Sequence, residues 1–116
     1  MFAISDTIIT VNNKKNDFKH NINNAFECKG LIIVHIFDSY EKKGYIDTSE
    51  QPINNVYAID TLGNISWNIR DILKRDELVT GIKKDADENV VISTFHGVAY
   101  IIDANIKQVV GHIVTK

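Results

Sequence analysis

The side chains that could do acid–base, nucleophilic or metal chemistry are scattered along this chain of 116 residues. Metal sites on strands and helices draw their ligands from residues spaced i, i+2 or i, i+4. None of the four histidines has another His, Cys or acidic residue at either spacing; they are His20, His35, His96 and His112. The sequence therefore predicts no metal site.

Nucleophilic catalysis finds no better support in the sequence. Cys28 is the only cysteine, and a lone cysteine beside a strand is most often a small buried hydrophobe. Neither a Gly-x-Ser-x-Gly turn nor a phosphate-binding glycine loop occurs. A single cysteine also excludes an intramolecular disulfide and is typical of a reducing compartment. We therefore expect a cytoplasmic, non-enzymatic protein without a cofactor.

Composition narrows the classes of partner. The chain is 44% hydrophobic and 24% charged, with a formal net charge of −2, and these proportions predict one globular domain over 1–116. Nucleic-acid binding would call for a basic stripe, which this composition does not indicate. No apolar run approaches the roughly 18 residues of a membrane span. We expect no nucleic acid and no membrane among its partners.

A short motif that is repeated after about 43 residues is the clearest indication of the architecture. Asn55–Asp60 (NVYAID) reappears as Val98–Asp103 (VAYIID), and in each copy a Tyr stands three residues before an Asp. A period of roughly 40–45 residues is typical of four-stranded propeller blades. Asp60 and Asp103 could form a pair of catalytic carboxylates, but an Asp that opens a turn more often accepts backbone N–H groups. We predict the turn-capping role.

Short runs of β-branched and aromatic residues, separated by Asn, Asp and Gly, predict a nearly all-β fold. Leu31–Phe37 is apolar on both faces, which indicates a central strand covered on both sides. His35 lies within it, so we expect a partly buried histidine whose hydrogen bonds are satisfied. Phe2–Val11 predicts a first strand, and Arg70–Glu77 is the only stretch that favours a helix.

The remaining strands fall into two sets of four that follow one another along the chain. They are 18–22, 31–37, 56–60 and 65–69, then 78–83, 90–95, 98–103 and 109–114. A two-residue turn, His96-Gly97, is expected within the second set. The fold class is therefore all-β, an antiparallel meander of about eight to nine strands, with two propeller-blade-like sheets packed together. The blade-like units span roughly 18–69 and 78–114, with an insertion loop at 38–54.

The segment VYAIDTLGNISW resembles the blade motif of quinoprotein-like β-propellers, in which a strand ending in Asp turns through Gly and returns to a Trp. Tyr57, Asp60, Gly63 and Trp67 occupy those places. Roughly residues 26 to 116 are also similar to a loose group of small uncharacterised bacterial proteins. The matching residues are Asp60, Gly63, Ile65, Trp67, Gly81, Ile82, Gly97, Tyr100, Ile102 and Asp103. A propeller ring uses typically about four to eight blades, so two blades imply no quinone cofactor.

The aromatic residues admit two interpretations. Trp67, Tyr57 and Tyr100 could form a binding platform. Ile65, Trp67 and Ile69 share one strand face, which favours core packing for Trp67. The loop 38–54 is long for a compact domain, and loops on rigid scaffolds are common binding sites, although a solvated insertion remains the alternative. The residues predicted to contact a partner are Tyr40, Tyr45, Ile46, His96 and Tyr100.

Two functional hypotheses follow. The first is a non-enzymatic protein-interaction module that recognises another protein through sheet edges, aromatics and the long loop. Its size and class suit toxin neutralisation or phage–host counter-defence. The second is a small-molecule or glycan-binding protein that uses a cleft between the two sheets, lined by Trp67, Tyr100 and His96.

The outermost strands also predict an oligomeric state. Phe2–Val11 contains Asp6 as its only charge, and Val109–Val114 contains none. Natural proteins protect such edges by pairing or covering them. We expect these two strands either to pair within the chain or to meet across a two-fold axis in a homodimer, so the protein is a monomer or a homodimer through its edge strands.

Overall fold

The computed structural model describes residues 2–38 and 51–114, and the regular secondary structure within them consists almost entirely of short β-strands. The strands are β1 (Phe2–Ser5), β2 (Ile8–Val11), β3 (Lys14–Asp17), β4 (Ile22–Cys28), β5 (Leu31–Ile36), β6 (Val56–Ile59), β7 (Ile65–Asn68), β8 (Val79–Lys84), β9 (Val90–Thr94), β10 (Val98–Asp103) and β11 (Gln108–Val114). One short helix, α1 (Ile69–Leu73), joins β7 to the segment before β8.

The strands form three antiparallel sheets in chain order. The first sheet is β1-β2-β3, the second is β4-β5-β6-β7, and the third has the order β11-β10-β9-β8. Every described pairing joins strands that are neighbours in the sequence. The predicted all-β antiparallel meander is therefore confirmed, with a third sheet that the two predicted sets of strands did not include.

The additional sheet comes from the N-terminal residues, which were predicted to be one strand over Phe2–Val11. That prediction is wrong because Asp6 adopts a left-handed φ of 54° and folds the run back on itself. Asn12 and Asn13 then take φ values of 52° and 63° and form a two-residue turn into β3. Asn tolerates this conformation better than most residues, and two consecutive positive φ angles are what a tight hairpin requires.

The strand predicted at 18–22 actually begins at Ile22 and runs to Cys28. Lys19 interrupts the predicted run because its φ is 63°, and its backbone N–H donates to Oδ1 of Asp17 at 2.9 Å. Lys29 and Gly30, with φ values of 51° and 83°, turn the chain from β4 into β5.

The second sheet lies between the other two and is covered on both faces. Ile33 of β5 contributes to the core shared with the third sheet, whereas Ile32 and Val34 belong to the core shared with the first sheet. This alternation confirms that β5 is a central strand covered on both sides. Trp67 is 2% exposed in the core between the second and third sheets, and its Nε1 donates to the carbonyl of Ala104 at 3.1 Å. Its predicted core role is confirmed.

The two copies of the repeated motif occupy equivalent positions in two sheets. Its two copies form β6 and β10, each the third strand of a four-stranded sheet. Oδ1 of Asp60 accepts the N–H groups of Leu62 and Asn64 at 3.0 and 2.9 Å. Oδ1 of Asp103 likewise accepts the N–H groups of the second and third residues after it, at 3.0 and 3.2 Å. The turn-capping prediction is confirmed.

Helix α1 is shorter than the predicted Arg70–Glu77. Asn68 caps its N-terminus, and Asp71 completes the capping box. The side chain of Asn68 accepts a hydrogen bond from the backbone of Asp71, and the side chain of Asp71 accepts one from the backbone N–H of Asn68. Lys74 ends the helix with a left-handed φ of 64°. The residues beyond Lys74 are therefore free to run as an extended segment into β8.

The predicted pairing of the first and last strands within the chain is wrong. β1 pairs with β2, and β11 pairs with β10 and forms an edge of the third sheet. The exposed fractions of Val110, Ile113 and Val114 are 52%, 50% and 64%. Because the first and third sheets lie on opposite faces of the second, their outer strands do not meet.

Candidate functional site

A pocket of about 340 Å³ opens at the start of the third sheet, where residues 76–78 lead into β8. We call it the Glu77 pocket; its lining residues are Ile53, Asp76, Glu77, Leu78, Phe95 and His96. Its volume falls within the range of roughly 300–1,000 Å³ that is usual for ligand sites. The side chains of Ile53 and Phe95 are large and apolar, and they are 52% and 58% exposed.

Asn54 fixes the backbone on one side of the pocket. Its own N–H donates to the carbonyl of Glu77 at 2.8 Å, and its Oδ1 accepts the N–H of Glu77 at 3.0 Å. Its Nδ2 donates to Oδ1 of Asp76 at 2.9 Å. Asn54 adopts a left-handed φ of 55°, which Asn tolerates better than most residues. One asparagine therefore holds both acidic residues of the pocket in place.

The turn between β9 and β10 forms the opposite side. The N–H of Phe95 donates to the carbonyl of Leu78 at 3.0 Å, and the N–H of Gly97 donates to the carbonyl of Thr94 at 3.1 Å. Three residues, Phe95 to Gly97, connect the strands, so the predicted two-residue turn and the predicted strand end at Phe95 are each wrong by one residue. Gly97 takes the left-handed φ of 83° that ends this kind of turn.

The carboxylate of Glu77 is the most unusual group in the pocket. Its side chain is only 5% exposed, and Nε of Arg75 lies 3.2 Å from Oε2. Within residues 2–38 and 51–114, Oε1 is the only buried side-chain nitrogen or oxygen that lacks a hydrogen bond. Nε2 of His96 lies 3.8 Å from it, which is too long for a hydrogen bond. A buried carboxylate oxygen without a hydrogen bond is costly, which makes Glu77 a candidate ligand-binding group.

Arg75 connects the pocket to Tyr100. Its guanidinium carbon lies 5.2 Å from the centre of the Tyr100 ring, and its Nη2 donates to the Tyr100 hydroxyl. Tyr100 is half-buried against the core between the second and third sheets. The predicted contact residues His96 and Tyr100 are therefore brought to the same carboxylate, one directly and the other through Arg75.

Asp76 is the second carboxylate of the pocket but is already paired. Nε of Arg70 lies 2.8 Å from its Oδ1, which also accepts the hydrogen bond from Asn54. The Asn54 bond first, and the Arg70 bond and charge second, hold the pKa of Asp76 below its ordinary value. Arg70 therefore already balances the charge of Asp76, while Glu77 supplies the carboxylate oxygen that lacks a hydrogen bond.

The other predicted contact residues, Tyr40, Tyr45 and Ile46, and most of the loop 38–54, lie outside the described residues. Glu77 itself was not singled out in the sequence. The only sequence signal near it is the charged run Arg75-Asp76-Glu77, which is typical of a solvated surface. Its burial depends on Asn54, 23 residues earlier, and no local pattern shows that contact.

Trp67 does not form a wall of the predicted cleft between the sheets. Trp67 is buried, and the space around it is filled by the apolar core shared by the second and third sheets.

Cys28 is also buried, as expected, and burial raises the pKa of its thiol, opposed by the charges of Lys84 and Lys29. A raised pKa makes a thiol less reactive at neutral pH.

Outside the Glu77 pocket, a histidine and an aspartate pair near the end of β5. Nδ1 of His20 is 2.6 Å from Oδ2 of Asp38, whose Oδ1 accepts the N–H of Asn21 at 2.8 Å. The adjoining cavity measures only about 30 Å³, enough for a water molecule but not for a substrate.

Among the described residues, no three His, Cys, Asp or Glu side chains are placed to hold a metal ion together. In the same part of the chain, no helix has the length and apolar character needed to cross a membrane.

The fold and the site together define the class: an all-β antiparallel protein of three consecutive sheets, with a carboxylate-based pocket at the start of the third. The family model described as "Domain of unknown function (DUF7957)" matches residues 1–111, and the chain belongs to this family. No curated protein matches the chain. No solved structure matches it either.

Proposed function

We propose that this chain is a non-enzymatic protein-interaction module and that its partner docks on the Glu77 pocket. The observation that supports this most strongly is the exposure of Phe95. A large aromatic side chain is 58% exposed on a turn whose backbone is bonded to Leu78 and Thr94. Loops held by a rigid scaffold are frequent binding sites, and aromatic residues are enriched at protein interfaces.

The surroundings of Phe95 support a protein partner. Ile53 offers a second exposed apolar side chain across the pocket, and Glu77 offers a buried charge between them. Interfaces typically combine an apolar anchor with a few polar groups that fix orientation. A pocket of similar volume beside the first sheet, about 380 Å³, is lined by Phe2, Ala3, Thr10, Asn12 and Asn13, none of which is ionisable. Toxin neutralisation and phage–host counter-defence each need a binding surface without catalysis, as proposed here.

Site-directed photo-cross-linking tests this function. A p-benzoylphenylalanine replaces Phe95 in one variant and Leu62 in a control; Leu62 is 64% exposed on the β6–β7 turn of the second sheet. Both variants are produced in native cells and irradiated. We expect a discrete protein adduct from position 95 and none of the same mass from position 62. Adducts that are absent at position 95, or the same at both positions, would contradict the proposed function.

A further inference from the structure

We infer that the Glu77 pocket receives an arginine side chain of the partner protein, with its guanidinium on Oε1 of Glu77 and its stem against Phe95 and Ile53. This inference rests on the proposed function and deepens it, because it names the group that the pocket recognises. The carboxylate oxygen must accept, so its ligand must be a donor, and the buried negative charge favours a cationic one.

Exposure and charge together define the shape of the ligand. The rim of the pocket is apolar at Ile53 and Phe95, and the polar atom is at the buried end, at Glu77. An arginine side chain has the matching order, with an apolar stem and a charged tip. Asp76 stands at the rim but already pairs with Arg70, so Glu77 is the carboxylate that the ligand meets. A negatively charged ligand would be repelled by Glu77, and a ligand without a donor would leave Oε1 of Glu77 without a hydrogen bond.

Guanidinium suits this pocket better than an ammonium group. It is more weakly hydrated, so less hydration is lost beside a carboxylate that is 5% exposed. Glu77 already binds one guanidinium, because Nε of Arg75 donates to its Oε2 at 3.2 Å. Within the described residues, Oε1 has no hydrogen bond.

His96 covers the free oxygen and must move when the ligand enters. Its Nε2 is 3.8 Å from Oε1, and its side chain is 75% exposed. Its ring meets Phe95 edge-on, with ring centres 6.0 Å apart. A side chain this exposed can rotate towards solvent at little cost. His96 is therefore a displaceable cover over Oε1 of Glu77.

A titration with small probes followed by NMR tests the inference at pH 8. The probes are butylguanidinium, butylammonium and the neutral isostere butylurea, and the signals are the backbone amides of residues 77–78 and 95–97. We expect butylguanidinium to shift these amides with the lowest Kd. Butylurea that binds equally well, or butylammonium that binds as tightly, would overturn the guanidinium assignment.

Three variants make the result specific. Glu77→Gln keeps the shape but removes the charge, and should weaken butylguanidinium binding by at least about tenfold, since a charged hydrogen bond is lost. Asp87→Asn removes an exposed carboxylate from the β8–β9 turn and should leave the Kd unchanged. His96→Ala uncovers Oε1 and should lower the Kd. Equal binding by Glu77→Gln and the parent, or weaker binding by His96→Ala, would overturn the inference.

The two experiments fail separately. Cross-links at position 95 without guanidinium binding leave the protein-interaction function standing and remove the arginine. Guanidinium binding without cross-links at position 95 overturns the proposed function and points to a small cationic ligand instead.

Discussion

Asn55 and His35 meet on one backbone carbonyl: Nδ2 of Asn55 and Nε2 of His35 each lie 2.8 Å from the oxygen of Val79. Oδ1 of Asn55 also accepts the N–H of Val79 at 2.9 Å. The two donors lie at the end of the second sheet, and Val79 opens the third sheet. This buried cluster joins the two sheets directly beneath the segment that carries Glu77, so it sets the position of the pocket.

The cluster predicts a pH dependence of stability. His35 is fully buried, and desolvation lowers the pKa of its imidazole, opposed by the bond to Val79. Its Nδ1 faces the amide nitrogen of Asn23 at 3.1 Å, and this donor requires a neutral ring. Because the folded-state pKa lies below the unfolded value of 6.5, the unfolded chain takes up the proton first. The free energy of unfolding should fall as pH drops below about 6.5, and stay level above it.

Urea denaturation between pH 8 and pH 5 measures this effect. His35→Gln should show a flatter profile across the same range, whereas His112→Gln, which changes an exposed histidine on β11, should follow the parent. A parent whose stability is level down to pH 5 would contradict the assignment of a neutral His35.

Two glycines with similar backbone angles provide a matched pair. Gly63 and Gly30 have φ values of 90° and 83°, so alanine is strained at both positions. A Cβ on Gly63 would lie 2.6 Å from the carbonyl oxygen of Val11 and 2.7 Å from Cβ of Lys14, whereas nothing lies within 4 Å at Gly30. Gly63→Ala should therefore destabilise the protein by about 1–3 kcal/mol more than Gly30→Ala, in chemical denaturation. Equal losses would mean that the first sheet does not pack on the β6–β7 turn.

Trp67 tests the core between the second and third sheets. Trp67→Ala removes a fully buried aromatic side chain and should cost about 3–5 kcal/mol of unfolding free energy. Trp67→Phe keeps much of the volume and loses the bond to the carbonyl of Ala104, so its cost should be smaller. A Trp67→Ala variant that melts like the parent would show that this core does not hold the sheets together.

The exposed edge strand β11 predicts self-association. Since β11 pairs with β10 and forms an edge of its sheet, the homodimer is the form of the edge-strand prediction that remains. Sedimentation equilibrium should show a dimer for the parent and a monomer for Val110→Lys, which places a charge on this edge. A parent that is monomeric at high concentration, with unchanged stability in Val110→Lys, would contradict the prediction.

The sequence was most informative where local chemistry decides the structure. Asp60 and Asp103 cap turns within three or four residues of themselves, and β5 reveals its central place by being apolar on both faces. The N-terminal sheet was missed because Asp6, in a run rich in β-branched residues, gives no strong turn signal. The resemblance to propeller blades stays a prediction.

The site was only half accessible to sequence analysis. His96 and Tyr100 stood out in the sequence as a polar turn residue and an aromatic residue of the repeat. Glu77 did not, because its burial comes from Asn54 and its neighbours from β9 and β10, all distant in sequence. A buried carboxylate is a property of tertiary contacts, and a charged residue in a polar run looks exposed until those contacts are known.

The central claim is that a partner protein docks on Glu77. The most direct measurement uses the partner protein that cross-linking at position 95 identifies. The free partner is purified, and its affinity for the parent, Glu77→Gln and Asp87→Asn is compared by titration calorimetry. The account predicts that Glu77→Gln weakens binding by roughly ten- to a hundredfold, because a buried charged hydrogen bond is lost, while Asp87→Asn binds like the parent. Equal affinities for all three proteins would contradict it.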